Sequence, residues 1–366
     1  RKVQADTPPK YRGHSPNRIL PRLITWRAHT VTLPCVAGRA APIPKPNNSP
    51  VFGEPARFAA VVAPAWSQPL LERMPEVRRG LTKPIGHGEL ALGRRRKLGR
   101  ALRNDYDQAI VLPNSIKAAL VPLLARIPRR TGWRGEMRYG LLNDMRRLDA
   151  AALPLMVQRF VALGLEPGAA LPDPLPRPRL TVDAARAAEC ARRFELDPRQ
   201  PLLALCPGAE FGGAKRWPAE YYAALADEYM SRGWQVVLFG SARDSEVTGE
   251  LLASSRGQHI HDLAGRTSLA DAIDLMSTAA AVVSNDSGLM HIAAALDRPL
   301  LAIYGATSPG FTPPLSERAS TLVSDIDCAP CFERECPLGH HRCMRETLPA
   351  TAIATLDARL AGPEGG

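Results

Sequence analysis

The sequence predicts an α/β protein of two domains, the later one built on a parallel, doubly wound sheet. Three observations point there. Between Leu202 and Tyr304, short apolar runs alternate strictly with segments of helical period. A stretch with five prolines between Glu166 and Arg179 separates that region from the chain before it. Residues 58–165 then show a second, weaker alternation of the same kind.

In the later region, Leu202–Cys206 is the first expected strand, ending at Pro207-Gly208. A helix follows over 218–232, with Tyr222, Leu225, Ala226 and Tyr229 on one face, Pro218 at its start and Gly233 as its stop. Strands are expected at Gln235–Phe239, Ile260–Leu263, Ala281–Ser284 and Pro299–Tyr304. Helices are expected over 244–253, from the capping pair Ser268 and Asp271, and over 287–296. Continuous apolar strands joined by helices imply a parallel sheet covered on both faces. Upstream, strands are expected at Phe58–Val62 and Ala109–Leu112, and helices over 67–74, 89–103, 115–124 and 155–163. The domain reading is therefore 1–56, an atypical basic segment; 57–165, a first α/β domain; 166–180, a linker; 181–345, a second α/β domain; and 346–366, a terminal helix and tail.

Charge is unevenly placed. The net charge is +11, and residues 1–55 hold nine Lys or Arg against Asp6 and Glu54, with ten of the 35 prolines. That composition predicts poor order. Its scattered cations do not make a nucleic-acid arm, and no nucleic-acid partner is expected. No apolar run reaches the roughly 20 residues of a membrane span, and no secretory signal is legible. Seven cysteines without a disulfide framework favour a reducing cytoplasm.

Three strand ends carry candidate chemistry. The loop after Cys206 is glycine-rich and brings Glu210 and Lys215 to the carboxyl edge of the sheet, where such folds bind ligands. It reads as an anion site or as a plain connection. The turn Asp286-Ser287-Gly288 opens a helix, with His291 one turn on. Asp286 is a helix cap or a ligand contact, and the N–H groups of Ser287 and Gly288 suit a phosphate. Asp244, after the strand 235–239, is a cap or a partner for a ribose. No Gly-x-Gly-x-x-Gly follows a strand, which excludes a nicotinamide dehydrogenase.

The segments Cys206–Pro218, Val237–Ser241, Asn285–His291 and Tyr304–Pro309 resemble the lipopolysaccharide heptosyltransferase II family, motif for motif. In the first domain Ala63–Trp66, Leu112–Ser115 and Thr131–Asp144 are similar to the same family. The resemblance spans about 58–361. It implies the GT-B fold, two Rossmann-like domains facing across a cleft. It also implies inverting, metal-independent transfer of L-glycero-D-manno-heptose from ADP-heptose. The implied acceptor is the first heptose of the lipopolysaccharide inner core, on Kdo-lipid A. By position, Lys215 would neutralise the diphosphate, and Ser287 and Gly288 would donate to it. Asp286 and His291 would lie near sugar and phosphate, with Glu210 also on the donor side. Asp244 would hold the ribose, and Arg134 and Arg138 would meet the anionic acceptor. No cofactor is implied. The place implied is the cytoplasmic face of the inner membrane, with peripheral contact only.

Family members open with a strand, a Gly-Asp pair carrying the general base, and a helix. Residues 1–60 contain no Gly-Asp pair, so the first domain is expected to lack that strand and helix. The break near residue 56 suggests a misread, misassembled or truncated front end. If the base is absent, donor affinity without turnover is the expected alternative. Cys328, Cys331, Cys336 and Cys343 fall within sixteen residues and read as a structural zinc site or as free loop thiols.

Overall fold

The computed structural model describes residues 36–38, 59–86, 88–257 and 260–362. It contains two six-stranded sheets. The first is built from β1 (Val36–Gly38), β2 (Ala59–Ala63), β3 (Val77–Thr82), β4 (Gln108–Ile110), β5 (Arg129–Trp133) and β6 (Asp144–Arg146). Its order is β3-β2-β1-β4-β5-β6. Every pair is parallel except those of β1, which runs antiparallel to both neighbours, with Val36 opposite Val61 and Ile110.

Among the described residues the usual parallel first strand is not seen, and β1 takes its place between β2 and β4. Three residues of the atypical segment fill the central slot, in the direction opposite to that of a doubly wound sheet. Two strands flanking an empty slot present rows of unpaired N–H and C=O groups, which an extended segment of either direction can satisfy. The other expectations for residues 1–56 lie outside the described residues.

One face of this sheet is covered by α2 (Leu92–Ala101) and α3 (Ile116–Leu124), over a core of Ala60, Val62, Leu102, Ala109, Val121 and Ile127. Ser115 caps α3 by accepting the Ala118 N–H. The other face meets α1 (Gln68–Leu71) through Val61, Ala63 and Leu71. Next in the chain is α4 (Met156–Gly164), beside β5.

After α5 (Ala184–Arg193) comes the second sheet: β7 (Leu202–Cys206), β8 (Gln235–Leu238), β9 (Ile260–Asp262), β10 (Ala281–Asn285), β11 (Leu300–Tyr304) and β12 (Ala319–Val323). All its pairs are parallel, in the order β12-β11-β10-β7-β8-β9. Alternate strand residues explain the unbroken apolar runs. Ala204, Cys206, Val237, Val282 and Ala302 face one core, with α5 and α8 (Leu269–Ser277). Leu203, Leu205, Val236, Val283 and Leu301 face the other, with α6 (Ala219–Ser231), α7 (Ser245–Ser254) and α11 (Pro349–Ala361). Two more helices, α9 (Gly288–Ala295) and the short α10 (Arg342–Arg345), complete the domain.

The two domains are pinned together. Leu70 of α1 enters the core of the second domain. Just beyond it, Arg73 Nη2 donates to both carboxylate oxygens of Asp274 at 2.7 Å, and both residues are almost fully buried. Thr181 donates its N–H and its hydroxyl to the Arg73 carbonyl, at 2.8 and 3.0 Å. Met156 N–H reaches the Phe311 carbonyl at 2.9 Å, and the Arg159 guanidinium lies 5.0 Å from the Phe311 ring centre.

Candidate functional site

The sheet order reverses between β7 and β10, the position where open α/β sheets place their ligands. The loops leaving these two strands carry Lys215 and Asp286. Lys215 Nζ lies 2.6 Å from Asp286 Oδ2, and the Thr307 hydroxyl donates to the same oxygen at 2.7 Å. Both charged side chains are largely buried, at 13% and 6% exposure, so solvent screens the pair poorly. Phe211 packs under the ammonium, with its ring centre 4.8 Å from Nζ.

Asn285 rivets the two loops and was not singled out from the sequence. It is fully buried at the end of β10. Its Oδ1 accepts the Trp217 N–H at 3.1 Å and the Tyr222 hydroxyl at 3.0 Å, while Nδ2 donates to the Pro207 carbonyl at 2.7 Å. A polar pair, Ser284 and Asn285, closing a strand that begins as an apolar run was the available signal. Asn285→Ala would leave the Trp217 N–H and the Pro207 carbonyl without a partner at about 1–3 kcal/mol each, while the Tyr222 hydroxyl keeps the Cys206 carbonyl at 3.3 Å. The expected result is a loss of several kcal/mol in a denaturant titration.

Ser287 caps α9, accepting the Met290 N–H. The first N–H groups of this eight-residue helix have no intrahelical acceptor, and they lie at its positive end. His291 sits one turn on, partly buried. Burial lowers its pKa below 6.5; Asp286 opposes that and Lys215 adds to it. The imidazole is therefore neutral at pH 7. A depressed histidine contributes no pH penalty above its unfolded value. Below about 6.5 the unfolded chain takes up the proton first, and stability declines as pH falls toward the folded value. Thermal midpoints between pH 7.5 and 5 should fall more steeply for the wild type than for His291→Gln.

Asp244 is where the two sequence readings meet. It caps its own turn, with Oδ2 accepting the Ser241 N–H and hydroxyl at 2.8 Å each. It also closes over Gly208: a Cβ there would come 2.3 Å from Asp244 Oδ1. Asp244, Glu210, Arg216, Arg243 and Glu335 line a cavity of about 260 Å³ beside the Lys215 loop. Glu210 pairs with Arg243 at 2.9 Å across its rim. The loop itself is held from outside, since Ala214 N–H donates to the Arg334 carbonyl at 2.9 Å and Gly213 N–H to Glu335 at 3.1 Å.

One expectation is corrected. Arg138 is fully buried and does not face an acceptor. Its guanidinium donates to the carbonyls of Pro113 and Trp133 and to Asn114 Oδ1, stapling the loops after β4 and β5. Arginine in an anionic-ligand motif reads as a ligand contact, but here the loop carbonyls claim it first. Arg134, by contrast, is exposed at the same loop, 5.9 Å from the Tyr139 ring centre. For the cysteines, no group of three or more His, Cys, Asp or Glu among the described residues is placed to hold a metal ion, although Cys331, Cys328 and Cys336 lie near enough to Cys343 to add to burial in raising its pKa. Cys336 Sγ instead accepts the His341 N–H at 3.4 Å, and Cys343 is buried in the core below Gly305.

The family model described as glycosyltransferase family 9 (heptosyltransferase) matches residues 95–342. The chain is 48% identical over 315 residues to lipopolysaccharide heptosyltransferase 2 of Escherichia coli (strain K12), covering 84% of this chain and 90% of that protein. It is 46% identical over 313 residues to lipooligosaccharide heptosyltransferase 2 of Haemophilus influenzae, covering 82% and 90%. Among solved structures, E. coli ADP-heptose LPS heptosyltransferase II superposes with a TM-score of 0.75 at 46% identity, covering 84% of this chain and 91% of that one. The architecture is accordingly GT-B.

Proposed function

The chain belongs to glycosyltransferase family 9, the heptosyltransferases, and from that premise we propose that it transfers L-glycero-D-manno-heptose from ADP-heptose to the first heptose of the lipopolysaccharide inner core. Transfer proceeds with inversion and without a catalytic metal, and the acceptor is Kdo-lipid A carrying one heptose. The observation that carries this reading is the convergence of Lys215, Asp286, Thr307 and the start of α9 at the reversal of strand order.

The donor's diphosphate lies against Lys215 and the N–H groups of Ser287 and Gly288. Asp286 orients the ammonium, and the neutral His291 borders the sugar. Asp244 takes the ribose, with Glu210 at the rim of the same cavity, and Arg134 faces the anionic acceptor. The acceptor hydroxyl oxygen attacks the anomeric carbon as the bond to the diphosphate breaks, and ADP leaves with the bonding pair. Fixed positive charge there stabilises the leaving group as its charge grows. The hydroxyl proton must pass to a base. The Gly-Asp pair that carries this base in family members is not among residues 1–60.

That departure, with the antiparallel β1 in the central slot, favours a second reading in which the chain binds ADP-sugar without turning it over. Mixing the protein with ADP-heptose and the mono-heptosylated acceptor separates them. Acceptor-dependent ADP release supports transfer. ADP binding without release supports the second reading, and failure to bind ADP removes both.

A further inference from the structure

We propose that α2 and the turn leading into it form the surface by which the protein docks on an anionic phospholipid bilayer. Residues 77–104 carry nine cations, namely Arg78, Arg79, Lys83, Arg94, Arg95, Arg96, Lys97, Arg100 and Arg103, against the single acid Glu89. Residues 56–366 as a whole hold 38 Lys or Arg and 34 acids, so the positive charge of this body is concentrated here.

The helix arranges these charges. Leu98, Gly99 and Leu102 turn toward the sheet and α3. Leu92, Arg96, Arg100 and Arg103 follow the 4, 4, 3 spacing of one outer stripe and are all exposed. Lys97 is exposed beside them. Arg94 is partly neutralised by Glu89.

Arg95 has a different task. It is buried, and it donates to the carbonyls of Leu90, Glu89 and Lys117 at 2.6, 2.9 and 2.6 Å. This clamp fixes the turn before the helix and leaves Leu90 and Leu92 exposed at 46% and 54%. Two outward leucines beside a row of arginines form an amphipathic, cationic face, which suits lipid headgroups and the upper acyl boundary. The turn follows β3, so it lies at the carboxyl edge of the first sheet, the edge that also carries Trp66 and Arg134. A lipid-borne acceptor would then approach the site from the docked side. This last point rests on the proposed function; the docking itself does not.

The test is co-sedimentation of the full chain with vesicles that contain no acceptor, either pure phosphatidylcholine or phosphatidylcholine with phosphatidylglycerol. Binding is expected only to the anionic vesicles, and it should weaken as salt shortens the screening length from about 10 Å to about 3 Å. The triple variant Arg96→Glu, Lys97→Glu, Arg100→Glu should bind at least about tenfold more weakly. It should keep the wild-type thermal midpoint and ADP affinity, which separates this result from failure of the proposed reaction. Wild-type protein that ignores anionic vesicles at low salt overturns the proposal. So does a folded triple variant that binds them equally well, or a duplex DNA that binds this face while vesicles do not.

Discussion

Lys215→Ala is expected to lower kcat/KM for ADP-heptose by about 10²–10³-fold, the cost of removing one fixed charge-stabilising donor from a transition state. In the proposed reaction the side chain lies where negative charge accumulates on departing ADP, and low exposure keeps its field unscreened. The substitution also strands Asp286, which retains only the Thr307 hydroxyl among the partners described here. Some loss of stability should therefore accompany the loss of rate, and thermal midpoints recorded alongside the kinetics separate the two. Lys215→Arg keeps the charge and should fall between wild type and alanine. Adenosine, which lacks phosphates, should bind both proteins alike. Undiminished transfer by a folded Lys215→Ala protein would show that the diphosphate lies elsewhere.

Arg73→Ala should produce the largest stability change. It removes a bidentate partner from a carboxylate that is 2% exposed, and the remaining cation nearby, Arg186, is 3.8 Å away and 60% exposed. Breaking one side of a buried pair costs about 3–5 kcal/mol. The denaturant midpoint should drop accordingly. Replacing both members, as Arg73→Met with Asp274→Leu, should cost less than either single change, because no charge is then left buried alone. Since the pair joins α1 to α8, the single variant should also loosen the two domains, raising hydrogen exchange at both helices.

The second domain was legible because its chemistry is redundant with its pattern. Strands β7, β8, β10 and β11 are buried on both faces, so they read as apolar runs, and Ser268 marks the helix start it caps, whereas the cap expected at Asp286 falls on Ser287 instead. The first domain hid more. Strands β3, β5 and β6 are rich in Arg or Asp and only partly buried, so no run announces them. Helix α5 was missed because Ala184–Arg193 follows a proline-rich stretch that reads as linker, although the Asp183 carboxylate caps it by accepting the Ala185 and Arg186 N–H groups. For the site, residue types were legible but their partners were not. The sequence places Lys215 and Asp286 71 positions apart, and only the parallel pairing of β7 with β10 makes them a pair. The same limit applies to Arg138, whose burial depends on two loops that meet only in the fold.

A calorimetric titration of ADP into the wild-type chain and into Lys215→Ala bears most directly on the anion pocket at the strand reversal. Saturable one-to-one heat with the wild type, sharply reduced in the variant while adenosine heat is unchanged, is the expected result. Equal ADP heats in two folded proteins, or none in the wild type, would contradict it.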